Sequence, residues 1–143
     1  MIYQVVSERH APTYRISSPR DAFGALTRYA NSRCERFIVL TLDGAHQLIA
    51  SRIVSMGLVN RTVVHPREVF FPAIKDNAVA IIVAHNHPSG KLDPSPEDLE
   101  ITRRLREAGE ILGISLLDHV IFHKKSGFFS FVEHGFLEPP SES

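Results

Sequence analysis

The chain reads as an α/β domain in which a mixed β-sheet carries helices packed on its faces. Three observations lead there. Short apolar, β-branched runs such as Phe37-Ile38-Val39-Leu40 and Ala80-Ile81-Ile82-Val83-Ala84 interleave with segments whose apolar residues recur at helical spacing. Ser18-Pro19-Arg20-Asp21 and Ser95-Pro96-Glu97-Asp98 each place a capping serine before a proline, with an acid at the third helical position. Several connections are of hairpin length, which mixes antiparallel pairing into the alternation.

Taken in order, residues 1–18 read as an N-terminal arm, with Tyr3 and Val5, then Tyr14 and Ile16, alternating in short extended pieces. Ser18 caps a helix running to about Asn31 that turns Ala22, Leu26 and either Tyr29 or Ala25 inward. Glu35 to Leu42 is a strand, Asp43-Gly44 a turn, and Gln47 to Val54 the antiparallel partner. Arg61 to Val64 is a short strand. Pro66 opens a helix with Val69, Phe70, Ala73 and Ile74 at helical spacing, which Pro72 should kink or shorten. Ala78 to Ala84 is a buried strand. A long helix follows from Pro96 to about Leu112, with Leu99, Ile101 or Thr102, Leu105, Ala108 and Leu112 in one stripe and Gly113 as its stop. Leu116 to Lys124 and Phe128 to Val132 are strands joined by a Lys-Ser-Gly turn, and residues 138–143 are a flexible tail. No repeat or linker divides the sequence, so a single domain over residues 1–143 is expected.

Apolar residues at 43% and charged residues at 22% describe an ordinary globular protein, and a formal charge of zero removes nucleic-acid binding as the default. Arg103, Arg104 and Arg106 form a local basic group whose plain reading is a solvated helix face. Cys34 is the single cysteine, so no intramolecular disulfide forms, and a buried inert thiol is its expected state. The N-terminus lacks a signal-peptide pattern and no apolar run reaches the roughly 18 residues of a membrane span. A cytoplasmic protein that does not enter membranes is the expectation.

The segment His85 to Asp98, HNHPSGKLDPSPED, carries the chemistry. On a strand, side chains two apart share a side, so His85 and His87 converge while Asn86 faces away. Asp98 enters at the start of the following helix. Two histidines and a carboxylate leave a fourth tetrahedral position for water, the mark of a catalytic rather than a structural zinc site. Singly, each residue has a plainer reading: an isolated His-x-His is weak, and Ser95 with Asp98 is also a capping box. Their delivery to one place by a strand end, a Pro/Gly loop and a helix start is what favours the metal.

The run HNHPSG, then PSPED, then LLDHVIF, together with VHPREVF at residues 64–70, resembles the RadC family of the JAMM (MPN-domain) metalloenzyme superfamily, over about residues 30–137. The superfamily signature is a distant Glu, His-x-His-Pro, a Ser and an Asp three residues later, matched here by His85, His87, Pro88, Ser95 and Asp98. The resemblance implies a cytidine-deaminase-like JAB/MPN fold. It also implies Zn2+ held by His85, His87 and Asp98 with water as the remaining ligand, and Ser95 bonding that water or a developing oxyanion.

The implied general base lies upstream, and Glu35, just before an apolar strand, is preferred over Glu68, whose alternative is a favourable charge at a helix N-terminus. Asp118 and His119 are read either as a pair near the metal, with the carboxylate fixing the tautomer of a ligand histidine, or as strand-end polar residues. His65 is read as a turn residue. The implied activity is a zinc metallopeptidase or isopeptidase acting on a peptide or protein substrate. The alternatives are a non-catalytic module bound to DNA or DNA-repair proteins, and a zinc-dependent nuclease. RadC-like proteins typically carry an N-terminal helix-hairpin-helix region, for which 143 residues leave no room, so the DNA-repair label is expected to transfer poorly. The oligomeric state is left open.

Overall fold

Seven consecutive residues, Ala80–Asn86, are buried on both faces, which places their strand in the middle of a covered sheet. The computed structural model describes residues 4–5, 14–31, 33–56 and 64–140. Its elements in chain order are β1 (Gln4–Val5), α1 (Pro19–Leu26) running into a 3-10 turn at Thr27–Tyr29, β2 (Arg36–Leu42), β3 (Leu48–Met56), α2 (Pro66–Lys75), β4 (Ala80–Asn86), α3 (Pro96–Leu112), β5 (Ser115–His123) and β6 (Gly127–Ser130). The six-stranded sheet has the order β1-β3-β2-β4-β5-β6. Among the described residues only β4 and β5 pair in parallel, with α3 as their crossover, and the remaining pairs are antiparallel. The sheet is therefore mixed and flanked by helices, as the sequence predicts.

Alternation along the strands builds two cores. Val39, Ile81, Val83 and Ile121 face α2 and α3, where they meet Val69, Phe70, Ala73 and Leu105. Ile38, Leu40, Ile82, Ala84, Val120 and Phe122 face α1 and meet Ala22, Leu26 and Tyr29. Each fully buried Val, Leu, Ile or Phe side chain among them contributes about 1.5–3 kcal/mol. By the same alternation His85 and His119 lie among the residues facing α3, so the polar site is set into one core layer.

Several local expectations need correction. The first helix ends at Leu26 rather than near Asn31, and the chain tightens into a 3-10 turn where the Thr27 hydroxyl bonds the Gly24 carbonyl at 3.1 Å. The β2–β3 turn is longer than Asp43-Gly44, because Asp43 Oδ1 accepts from both Ala45 N–H and Gln47 N–H at 2.9 Å. Pro72 is accommodated within a ten-residue α2, and Ile74 on that helix points outward. The face of α3 turned to the sheet consists of Asp98, Thr102, Leu105 and Gly109, so Leu99 and Leu112 are exposed. Arg61, Thr62 and Val63 of the expected short strand lie outside the described residues. Arg103 pairs with Glu100 and Glu107, and Arg106 with Glu110 and Glu138, so these arginines line a charge-balanced, solvated helix face.

Candidate metal centre

The site forms where β4 ends beside the first turn of α3. His85 is the penultimate residue of β4 and His87 follows its last, so their side chains emerge on one side, with the two Nε2 atoms 2.9 Å apart. Pro96 at the first position and Ser95 at the cap start α3: Ser95 Oγ accepts from Asp98 N–H at 3.1 Å, and Asp98 Oδ2 accepts from Ser95 N–H at 2.9 Å. That reciprocal box orients the Asp98 carboxylate. Its Oδ1 lies 3.3 Å from His85 Nε2 and its Oδ2 lies 3.6 Å from His87 Nε2.

Glu35 comes from outside this segment, at the residue before β2. Antiparallel pairing sets Phe37 opposite His85, which brings Glu35 Oε1 to 4.0 Å from His85 Nε2. Glu35, His85 and His87 form a group whose ligand atoms all lie within 4.8 Å of one another. Asn86, pointing away from both histidines, holds that approach. Its Oδ1 accepts from Arg36 N–H at 2.7 Å and its Nδ2 donates to the Cys34 carbonyl at 2.9 Å, clamping the peptides on either side of Glu35. Glu68 is engaged elsewhere, its Oε1 accepting from His65 N–H at 3.2 Å at the start of α2. Cys34 is exposed, not buried as expected, because it lies on the loop that ends where β2 begins.

The donors behind the site are ordered as well. His87 Nδ1 lies 2.6 Å from the Lys91 carbonyl, an atom that can only accept, so Nδ1 carries a proton and the neutral ring presents its lone pair at Nε2. His85 Nδ1 meets His119 Nε2 at 2.8 Å, and His119 Nδ1 meets Thr102 Oγ1 at 2.6 Å. Asp118, the residue expected to meet a ligand histidine, accepts instead from Ser130 Oγ, Val132 N–H and His119 N–H. Both residues lie within β5 rather than at its end. Thr102, one turn beyond Asp98 on the buried face of α3, appeared in the sequence only as an alternative core residue.

Electrostatics follow from this packing. Burial alone would raise the Asp98 carboxyl, but hydrogen bonds and charge from His85 and His87, with the Ser95 N–H, hold it far below the usual carboxylate range. Burial works against a charge on His87, yet the Asp98 hydrogen bond and the Lys91 carbonyl leave its pKa raised. Complete burial, reinforced by nearby His85, keeps His119 well below an ordinary histidine. Imidazole nitrogens at contact distance beside two carboxylates suit a divalent cation, so the donor set fits a metal.

Residues 16–136 match the family model described as a RadC-like JAB domain. The chain belongs to the RadC-like JAB domain family. It is 49% identical over 123 residues to a UPF0758 protein of Rubrobacter xylanophilus, covering 85% of this chain and 53% of that protein. A UPF0758 protein of Trichlorobacter lovleyi is 50% identical over 124 residues, or 86% of this chain and 54% of its own length. One from Methanospirillum hungatei is 60% identical over 90 residues, or 63% and 40%. The chain thus spans about half the length of the curated relatives it matches. A RadC-like JAB domain with a histidine-carboxylate cluster able to hold a metal ion is what sequence and structure share. Among the described residues no helix is long and apolar enough to cross a membrane.

Proposed function

We propose that this RadC-like domain is a zinc-dependent hydrolase that cleaves peptide or isopeptide bonds. The observation that carries the reading is Glu35, 28% exposed and 4.0 Å from His85 Nε2, beside a His85–His87–Asp98 donor set buried at the end of β4. His85, His87 and Asp98 would hold the ion. When bound, zinc supplies the Lewis acidity that makes water a nucleophile near neutral pH and polarises a carbonyl.

The chain's own groups do the rest. Glu35, partly solvated and in reach of the donor set, takes the proton of the attacking water and returns it to the leaving amine. Asp98 is the better ligand of the two carboxylates, because it is buried and fixed by the Ser95 amide, while Glu35 keeps the freedom that proton transfer needs. Ser95 hydrogen-bonds the developing oxyanion. A peptide-type substrate and a cytoplasmic setting belong to this reading, the first by analogy with the JAMM superfamily and the second because a single cysteine suits a reducing compartment.

The test compares wild type with Glu35→Gln for zinc content and for hydrolysis across a panel of peptides and isopeptide-linked conjugates. The reading expects about one zinc per chain in both proteins and turnover in wild type alone. Wild type without zinc after metal addition, or Glu35→Gln with undiminished turnover, overturns it.

A further inference from the structure

Four hydrogen-bonding groups stand in line behind the metal-facing nitrogen of His85, and each can play only one part. The Thr102 hydroxyl lies 2.6 Å from the Asp98 main-chain carbonyl, which accepts and never donates, so the hydroxyl proton is committed there. Thr102 Oγ1 is then left to accept from His119 Nδ1, 2.6 Å away, which must carry a proton. The His119 ring is wholly buried, stacked on Phe131 and edge-on to Phe37, surroundings that keep an imidazole neutral. With its one proton on Nδ1, His119 offers a bare Nε2 to His85 Nδ1 at 2.8 Å. His85 therefore carries a proton on Nδ1, and the neutral ring has its lone pair on Nε2.

We propose that Thr102 and His119 are positioning residues that lock the His85 proton on Nδ1 and so present its Nε2 lone pair to a divalent cation. The inference rests on the metal reading above and adds how this chain prepares the site. The consequence is local and physical. In the neutral His87 ring Nε2 is bare as well, because its Nδ1–H serves the Lys91 carbonyl, so with both rings neutral two lone pairs face each other at 2.9 Å. A divalent cation held by both nitrogens would relieve that repulsion. The line begins at the carbonyl of Asp98, so one residue contributes a carboxylate to the ion and, through its main chain, sets the tautomer of a histidine across the site.

Thr102→Val keeps the shape of the side chain and removes the acceptor for His119 Nδ1–H. The His119 proton can then move to Nε2, donate to His85 Nδ1 and drive the His85 proton onto the metal-facing nitrogen. Thr102→Ser keeps the acceptor and serves as the conservative rescue. Zinc affinity is measured by competition with a chromogenic chelator for wild type and both variants, and the ring nitrogens of the metal-free wild type are typed by long-range proton-nitrogen correlation spectra.

The expected result is a loss of about 10–100-fold in zinc affinity for Thr102→Val, wild-type affinity for Thr102→Ser, and a proton-free Nε2 on neutral His85 in the spectra. Undiminished affinity in Thr102→Val, or a neutral His85 with its proton on Nε2 in the metal-free wild type, overturns the relay while leaving the zinc reading intact. A wild type that binds no zinc overturns both.

Discussion

Asn86 and Arg36 are joined through a 2.7 Å hydrogen bond from the Arg36 amide to the Asn86 carboxamide oxygen, and the same carboxamide reaches back to Cys34 at 2.9 Å. The residue between the two candidate ligands thus fixes the backbone around the candidate base. Asn86→Ala removes this partner from a half-buried amide and a carbonyl, at a cost of about 1 kcal/mol. The expected outcome is normal zinc stoichiometry, faster hydrogen exchange at the Arg36 amide and a loss of turnover through kcat. Unchanged exchange at Arg36 would show that the clamp is not what holds Glu35 in place.

Zinc stabilisation should depend on pH with a defined sign. Burial opposes a charge on His87, but its Asp98 hydrogen bond and the Lys91 carbonyl leave the folded pKa above 6.5. In the metal-free protein that group contributes stability fully below 6.5 and loses it as pH rises through the raised value. Zinc needs the same nitrogen bare, so proton and metal compete. The difference in Tm between zinc-loaded and chelated protein is expected to widen as pH rises from about 6 to about 8. His119, neutral in both forms, drops out of that difference. A gap that stays constant with pH would remove His87 from the ligand set.

Arg52 and Asp76 form a buried ion pair that also takes the Thr41 hydroxyl, at 2.8 Å from Asp76 Oδ2. It ties α2 to the β2–β3 hairpin at the end of the sheet away from the histidines. Arg52→Ala strands a buried carboxylate and should destabilise by about 3–5 kcal/mol, measured by urea unfolding. Zinc affinity of the folded fraction is expected to be unchanged, and its collapse would mean that the pair supports the metal centre directly.

Gly109 sits on the buried face of α3, where an added Cβ would come within 2.3 Å of the Ile114 carbonyl oxygen. That atom belongs to the backbone leading into β5, so it cannot turn aside. Gly109→Ala should cost about 1–3 kcal/mol despite the better helix propensity of alanine, whereas the same change at exposed Gly44, which meets nothing within 4 Å, should be mild. Equal Tm values for the two variants would contradict this packing.

How far these features are legible in the sequence depends on whether they are local. His85, His87, Ser95 and Asp98 are readable because strand alternation and helix capping act over a few residues. Glu35 reaches the same place only because β2 pairs with β4 in the register Phe37 to His85, a long-range choice that no local pattern specifies. The misread stripe of α3 has the same origin. Binary patterning turns Leu99 and Leu112 inward, but Asp98 and Thr102 occupy the buried face because their partners, His85 and His119, lie beneath it. His119 itself gives no local sign of its role, since its partners come from β4 and α3.

The β4–α3–β5 crossover has a consequence for how the domain comes together. His85, His87, Asp98, Thr102 and His119 all belong to that one contiguous stretch, and Glu35 alone is borrowed from elsewhere. The candidate ligands therefore assemble through contacts that are short-range along the chain, while the candidate base needs a distant strand to dock. On the proposed reading, the residues that would hold the ion come together before the base joins them, so a half-built domain would bind metal without turning it to hydrolysis.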